Sequence, residues 1–583
     1  ASKRMDVKEA AWHSVVEKSI GSVSGIKALL LDDQTAPAVS LVVSQTKALG
    51  LQVFSIDRLD NPDRKKVGYI KAVCILRPCP ATLKVLKREL ERPTFEEYSL
   101  FFTNTLPDHM LKELAMADAL QVVRQVQEIY MDYYPLNPSL FHLGMPSCMG
   151  LEAPHWDQAT FARMCEGLAS VLLSLKMAPL IAFQKNSTVC ERLASDLEGR
   201  MASGGGASDL FHFSPKQPQM LLILDRRDDP VTPLLNQWTY SAMLHEGLTM
   251  TNNRVSLQGT PAAKEVGEEV VLDAADDAFF AKSQHLNFGE LGEAIKKLAE
   301  EFQASEGGSL AMGGKANLKS IQDIQRLMDR FPDIQRQKSA LAKHVALTGE
   351  LSRLVEERGL MDLSELEQEL ACTENLTEGF NRVETVLETP KIHWEDKLRM
   401  VLLYALRYEL EGEREIRFLE RSLKDAPNMP PHALGAWQCM RKYAGVGVRG
   451  CDIFNKHTVV GAAKNMVRKH VEGIRGVENA LTRHEPLLAS RLAALKMAGV
   501  SALRESEFKV LGGGRSSARP QEIVVFVIGG ATYAEARVVA EFNRENGSKG
   551  LRAILGCTTL HNTSSFVAEV CRHPAAAPPP AEK

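Results

Sequence analysis

Short, almost wholly apolar runs recur along the first 135 residues, at 28–31, 52–56, 72–76 and 100–103. Stretches with helical spacing, at 82–90 and 107–116, separate the later runs, and Pro107 stands where a helix accepts proline at its start. A final apolar segment spans 122–130 and ends near Pro135. A strand buried on both faces must be apolar at every position, whereas a half-exposed strand alternates. Continuous runs separated by helices therefore predict a parallel, doubly wound sheet.

The same grammar returns twice. Residues 168–176 predict a helix, 180–183 a strand and 220–224 a strongly apolar strand, with a Gly/Ser-rich loop at 203–208. Near the end, 523–528 and 551–555 predict strands flanking a helix at 533–542. The expectation is that these late strands complete the sheet begun in 136–245, and that the stretch between is an insertion. That stretch, 246–484, has mostly helical periodicity, with helices expected over 394–419 and 465–481. One long helical pattern over about 318–355 contains Pro332, where a lost amide donor and a clash with the preceding turn favour a bend or break. The predicted fold class is thus α/β plus mostly α. It comprises a parallel-sheet region (1–135), a discontinuous second α/β region (136–245 with 485–583, the latter ending in a Pro/Ala-rich tail) and an inserted helical region (246–484).

Composition narrows the function classes. In 583 residues, 70 Lys and Arg face 73 Asp and Glu, a net charge of -3. That balance gives no electrostatic reason for a nucleic-acid partner, and no polybasic cluster suits anionic lipid. Ten scattered cysteines without a Cys-x-x-Cys pair are the usage of a reducing compartment. The segment ASKRMDVKEA has no signal-type apolar core, and the most apolar stretch, 168–183, is broken by Lys176 and Pro179. A cytosolic protein that reaches membranes only through partners is expected.

Candidate chemistry is sparse. Gly445-Val446-Gly447-Val448-Arg449-Gly450 fits a dinucleotide fingerprint, but residues 437–443 before it read as helix where that fingerprint needs a strand. Gly529-Gly530 follows a strand and opens a helix, yet no P-loop Lys-Ser/Thr follows; a tight turn is the simpler reading. Asp225, Asp228 and Asp229 cluster at a strand end, where enzymes place metal or acid/base groups. Arg226 and Arg227 among them favour an ion-paired corner instead. His245-Glu246 lacks a second histidine, no Gly-x-Ser-x-Gly elbow occurs, and no zinc-ligand spacing appears. No cofactor or metal is expected, and a binding scaffold is favoured over the alternative, a nucleotide-dependent α/β enzyme.

The run LLILDRRDDPVTPLLNQWTY, residues 221–240, resembles the signature of the SM (Sec-one/Munc-eighteen) family. Its NQWTY ending, with Lys343-His344-Val345, GELSRLV (349–355), VLLYALRY (401–408), GVEN (476–479) and VFVIGGATY (525–533), is similar to the vacuolar-sorting subgroup. The blocks come in the family's order over nearly the whole chain. The glycine-rich stretches at 203–208, 307–314 and 512–514 and the tail fit none of its patterns.

The resemblance implies a three-domain arch around a cleft. It implies a protein that binds and chaperones a syntaxin-type Qa SNARE and promotes SNARE-complex assembly at trans-Golgi and endosomal membranes. The vesicle SNARE and the assembled complex are implied as further partners, and a Rab effector is a candidate. Leu111 matches the family's pocket for the syntaxin N-terminal peptide, with Val122, Val126 and Ile129 expected beside it. Asp57 and Arg58 match charged cleft positions facing the folded syntaxin. Pro332 matches a hairpin hinge, expected to bias the hairpin toward a furled state, and Val345 a contact to the vesicle SNARE. By periodicity alone, the apolar stripe from Leu341 to Val355 reads as internal core, but the resemblance reverses that reading and makes it a surface for partner helices.

Overall fold

The computed structural model describes residues 5–148, 157–202, 208–213, 217–304, 321–425, 429–451, 453–454, 480–511 and 519–572. The expectations at 203–207, 307–314, 465–479 and 512–514, and for the tail beyond 572, lie outside them, as does the GVEN block.

Five strands form the first sheet: β1 (Lys27–Leu31), β2 (Val53–Arg58), β3 (Lys71–Leu76), β4 (Glu97–Phe102) and β5 (Val123–Glu128), in the order β2-β1-β3-β4-β5. Every pairing is parallel. The order reverses between β1 and β3, as doubly wound sheets require. Odd positions of the inner strands (Leu29, Leu31, Val73, Ile75, Phe101) enter one apolar cluster. Even positions (Leu30, Ala72, Cys74, Leu100, Phe102) enter another, beneath helices Pro80–Glu91 and Asp108–Ala117. The continuous apolar runs therefore exist because both faces are covered. The edge strands differ: β2 and β5 alternate between buried or half-buried and exposed residues.

The second sheet has seven strands. β6 (Tyr134–Asn137), β7 (Leu140–His142), β8 (Leu180–Gln184) and β9 (Gln219–Asp225) precede a small antiparallel sheet of β10 (Met250–Thr251), β11 (Arg254–Ser256) and β12 (Glu269–Val271). β13 (Phe508–Leu511), β14 (Glu522–Ile528) and β15 (Arg552–Cys557) return more than 200 residues later, and the order is β13-β8-β9-β14-β15-β7-β6. β14 inserts between β9 and β15, parallel to both, so the late strands do complete the earlier sheet. The edges are closed by antiparallel β13 and β6. Central β9 splits its apolar residues between two cores, Leu221 and Ile223 on one face, Met220, Leu222 and Leu224 on the other.

The intervening region is largely helical. Helices Leu360–Cys372, Leu376–Glu388, Trp394–Tyr408, Glu413–Lys424 and Ala436–Ala444 share one core with helix Thr563–Cys571. The single helix expected over 394–419 is two helices, divided at Gly412, whose backbone closes on the Tyr408 carbonyl at 2.7 Å. Two further helices, Phe288–Ala304 and Ile321–Arg358, pack against each other as the arms of a hairpin.

Here the expectation at Pro332 needs correction. Ile321–Arg358 is one helix of 38 residues that runs through Pro332. The connection between the arms lies before Ile321, so Pro332 sits inside the second arm and not at the hairpin turn. The strong helix formers on both sides (Gln, Arg, Leu, Met, Lys, Ala) let propagation continue past the one missing donor.

Candidate partner-binding surfaces

The segment from β9 to Tyr240 is built as a buried joint. Asp225 caps a turn at Arg226–Asp228 by accepting from the Arg227 N–H. The Arg226 guanidinium, almost wholly buried, donates to Glu535 at 2.7 Å and lies 3.5 Å from Asp229. Asp229 also accepts from the hydroxyl of Thr232 (2.7 Å) and the N–H of Leu487 (3.0 Å). Asp228 pairs with Arg491 at 3.1 Å and accepts from the Gly450 N–H at 2.9 Å. Each carboxylate of the cluster thus has its cation or N–H partners, as burial of charge demands. Among the described residues no group of His, Cys, Asp and Glu is arranged to hold a metal ion.

The glycine motifs fit the same joint. Gly529 and Gly530 have φ of 86° and 89°. A Cβ at 529 would lie 2.9 Å from the Arg226 Cβ and from the Tyr443 hydroxyl; one at 530 would lie 2.2 Å from the His561 ring. Glycine is needed for a left-handed turn under close-packed side chains. The Gly445–Gly450 stretch follows helix Ala436–Ala444, and Gly450 abuts Asn186.

The NQWTY residues tie this joint to the helices. Asn236 donates to the Glu367 carboxylate from its backbone (2.7 Å) and from Nδ2 (2.9 Å), and accepts from Arg399 at 3.1 Å. Arg399 also pairs with Glu367 (2.9 Å) and Asp396 (2.7 Å), all three side chains being fully or almost fully buried. Burial pushes the Glu367 carboxyl up to about 7, against the opposing pull of Arg399. The Tyr240 hydroxyl meets His344 Nδ1 at 2.8 Å, and His344 Nε2 meets Asp277 at 3.0 Å. Lys343 pairs with the same Asp277. Burial holds the His344 pKa below the ordinary histidine value, opposed by Asp277. These residues fix the foot of helix Ile321–Arg358.

The sequence-predicted contact residues lie elsewhere, and most are at the surface. Leu111 is 43% exposed on helix Asp108–Ala117, whose Met110 and Leu114 are its buried side. Val126 is 40% exposed on edge strand β5. It pairs with Leu100, so its side chain leaves the sheet on the face carrying that helix. Val122 is half-buried against the same cluster. Ile129 must be corrected: it is 1% exposed and belongs to the core on the opposite face, with Phe101 and Met131. It follows the end of β5, and period-two alternation turns it inward. A groove of about 450 Å³ runs between helices Pro80–Glu91 and Asp108–Ala117, lined by Leu83, Lys87, Met110 and Glu113 among others, but not by Leu111.

Asp57 is half-buried near the end of β2; Arg58 is exposed and forms a bidentate pair with Asp60 at 2.7 and 2.8 Å. Two residues of that strand escaped the sequence reading. Phe54 and Ile56 are exposed, although the run looked like a buried strand. Only the charged Asp57-Arg58 end hinted at an edge. Met116, exposed on the same helix as Leu111, and Leu120, exposed just after it, were likewise missed. On the long helix, Val345 is 47% exposed, while Leu347, Leu351 and Val355 turn into the core. The expectation that the whole stripe faces partner helices is therefore corrected: most of it is internal core, and Val345 lies on its outer side.

The Sec1 family profile matches residues 27–569. This chain belongs to the Sec1 family. It is 38% identical over 547 residues to vacuolar protein sorting-associated protein 45 of Mus musculus, covering 94% of this chain and 92% of that protein. The namesake of Dictyostelium discoideum is 36% identical over 570 residues, covering 98% and 97%. Among solved structures, the SM protein Vps45 in complex with the Qa SNARE Tlg2 superposes with a TM-score of 0.86 at 36% identity, covering 97% of this chain and 98% of that one. The Unc18 chain of the Unc18–syntaxin 1 complex from Monosiga brevicollis shares the fold, with a TM-score of 0.77 at 20% identity. In this Sec1-family chain the signature residues 225–240 act as internal fastenings, and the exposed apolar residues are found away from them.

Proposed function

We propose that this Sec1-family chain binds a syntaxin-type Qa SNARE, chaperones it, and promotes SNARE-complex assembly in trans-Golgi and endosomal vesicle fusion and vacuolar sorting. The observation that carries the reading is the pair Leu111 and Val126. Both are apolar, both are exposed, and both stand on the helix-covered side of the first sheet near its β5 edge. Similarity to a protein solved with a Qa SNARE supports it. The N-terminal peptide of the syntaxin packs on Leu111 and Val126 with Val122 beneath, and its folded part meets β2 at Asp57 and Arg58.

Chain regions 1–135, 136–245 with 485–583, and 246–484 act as the three domains of this scaffold. The protein works stoichiometrically in the cytosol, on Golgi and endosomal membranes through its partners. No described helix is long and apolar enough to cross a membrane. The alternative, a nucleotide-dependent enzyme, finds no support at Gly529–Gly530, where Arg226, Tyr443 and His561 fill the space a phosphate would need.

Leu111→Arg is expected to weaken the N-terminal peptide at least about tenfold, because one apolar anchor is worth roughly 1.5–3 kcal/mol. Its exposure means the melting temperature stays unchanged. Asp57→Lys should weaken full-length syntaxin more than the isolated peptide. Titration calorimetry with both ligands reads the two effects. Peptide binding unaffected by Leu111→Arg, or equal losses at Asp57 for both ligands, defeats the assignment.

The hairpin arm Ile321–Arg358 offers Val345 to the vesicle SNARE, and Pro332, inside that arm, lowers the arm's helical stability. Proline costs roughly 3 kcal/mol inside a helix relative to alanine. Pro332→Ala should therefore raise vesicle-SNARE affinity and slow amide exchange along the arm, while Val345→Arg lowers that affinity and leaves the peptide site intact. If Pro332→Ala alters neither exchange nor affinity, the proline has no switching role.

A further inference from the structure

Residues 273–277, between β12 and helix Ala278–Ser283, form a turn that meets two distant parts of the chain. Its shape is set from within. The Asp273 carbonyl accepts the N–H groups of Asp276 and Asp277 at 3.1 and 2.8 Å, and its side chain accepts that of Ala275 at 2.9 Å. Asp277 then caps helix Ala278–Ser283 by accepting the Phe280 N–H at 2.9 Å. So many internal bonds make the turn one rigid piece.

On one side the turn meets the first region. The Lys8 ammonium, on helix Val7–Trp12, lies 2.6 Å from both Asp273 carboxylate oxygens, and the two side chains are only 14% and 19% exposed. Lys47 reaches Asp276 at 2.8 Å, with its Nζ 5.9 Å from the centre of the Trp12 ring. This second pair is largely exposed and weak by itself, so the Lys8 pair is the main fastening. Lys47 belongs to helix Gln45–Gly50, which packs beside β2.

On the other side the turn meets the foot of helix Ile321–Arg358. Asp277 lies 3.0 Å from His344 Nε2 and pairs with Lys343, the two residues before Val345. The apolar packing is continuous as well. Leu41 of the first region, Leu272 next to the turn, and Leu347 and Leu351 of the arm all belong to one core.

We propose that the 273–277 turn is a coupling element that transmits order between the β2 side of the first region and the foot of the hairpin arm. Its two states are seated, with lysines 8 and 47 paired, and released from them. In the seated state both neighbours restrain the same rigid piece, so fixing one lowers the entropy the other has left to lose. Coupling of this kind is reciprocal: loosening either side loosens the other. If the proposed function holds, β2 meets the folded syntaxin and Val345 the vesicle SNARE, and the turn makes the two bind with positive cooperativity; that consequence rests on the functional reading, whereas the mechanical coupling does not.

Amide exchange of the full-length protein, with no partner present, tests the coupling in both directions. Lys8→Glu combined with Lys47→Glu sets like charges against Asp273 and Asp276 and leaves the turn and the arm unaltered. Exchange at 341–355 should quicken by about fivefold, while exchange at 523–528 in the second sheet stays unchanged. Lys343→Ala alters only the arm side of Asp277, and exchange at 45–58 should quicken in turn. Raising salt from about 0.05 to about 0.5 M should loosen the wild-type arm partway and should not loosen that of the charge-reversed protein. Circular dichroism melts establish that the variants fold; if the double reversal does not, Lys8→Ala with Lys47→Ala takes its place with the same expected direction. Unchanged arm exchange on altering the lysines overturns the proposal. So does a one-way effect, in which Lys343→Ala leaves 45–58 unmoved, and so does a rise at 523–528 equal to that in the arm, which marks general destabilisation. No SNARE enters the assay, so its failure and a failure of the proposed function are read separately.

Discussion

Arg399→Ala is expected to destabilise the helical region by about 3–5 kcal/mol, the usual cost of stripping one partner from a buried ion pair. The guanidinium is the shared partner of Glu367 and Asp396, and it also donates to Asn236. Both carboxylates are fully buried. Asp396 retains Arg358 at 2.8 Å, but Glu367 keeps only the N–H donors of Asn236. With the counter-charge gone, Glu367 escapes the penalty by holding a proton, and burial has already raised its pKa to about 7.

The sign of the pH effect follows. A carboxyl whose folded pKa exceeds its unfolded value contributes stability below the unfolded value, near 4.5, and loses it as pH rises through the folded pKa. In the variant this folded pKa moves still higher, so the deficit is largest near pH 8 and shrinks toward pH 6. Urea melts at the two pH values, with amide exchange in Trp394–Tyr408 as the regional probe, measure it. A deficit below about 1 kcal/mol at pH 8 would show that the cluster is not held by Arg399.

This cluster also shows what the sequence carried and what it did not. The run 220–224 announces a two-face-buried strand because every residue is apolar, and β9 is that strand. Arginines placed among Asp225, Asp228 and Asp229 point to mutual neutralisation, and the ion pairs at Glu535 and Arg491 complete it with residues far along the chain. The partner of Asn236 was not legible, because Glu367 and Arg399 look like ordinary helix-surface charges until the helices pack. Exposure was the weakest inference. Phe54 and Ile56 are as apolar as the residues of β1, and apart from the charged Asp57-Arg58 end it is the sheet order that reveals β2 as an edge. Ile129 failed for the converse reason: a one-residue change in phase sends a side chain to the other face. At Pro332 both local propensity and the resemblance pointed to a hinge, and the cooperative length of a 38-residue helix outweighed them.

Acid is expected to unfold the protein steeply between about pH 6.5 and 4, driven by four histidines, among them His285, which burial depresses to about 4. Burial depresses His142 and His245 to about 4 and His561 to about 3. For His142 the geometry explains why. Its Nδ1 accepts the Gly144 N–H at 3.0 Å and its Nε2 faces the Asn252 side-chain oxygen at 2.8 Å, which fixes the neutral tautomer. A proton added at Nδ1 would set two donors against each other inside the core. An imidazole with a depressed folded pKa contributes stability that is complete above its unfolded pKa, near 6.5, and lost as pH falls through the folded one. At pH 5 each such group removes about 2 kcal/mol. Glu367, Glu246 and Asp225 act with the opposite sign, since burial raises their folded pKa values, and Glu367 by itself offsets roughly one histidine. Thermal melts taken at half-unit steps from pH 7.5 to 4.5 should fall fastest below about pH 6. In His142→Gln, whose side chain has no proton to gain, the curve should be shallower by about one histidine's share, even if its melting temperature at pH 7.5 is lower. A variant curve parallel to the wild type throughout would mean that His142 does not resist protonation in the folded chain.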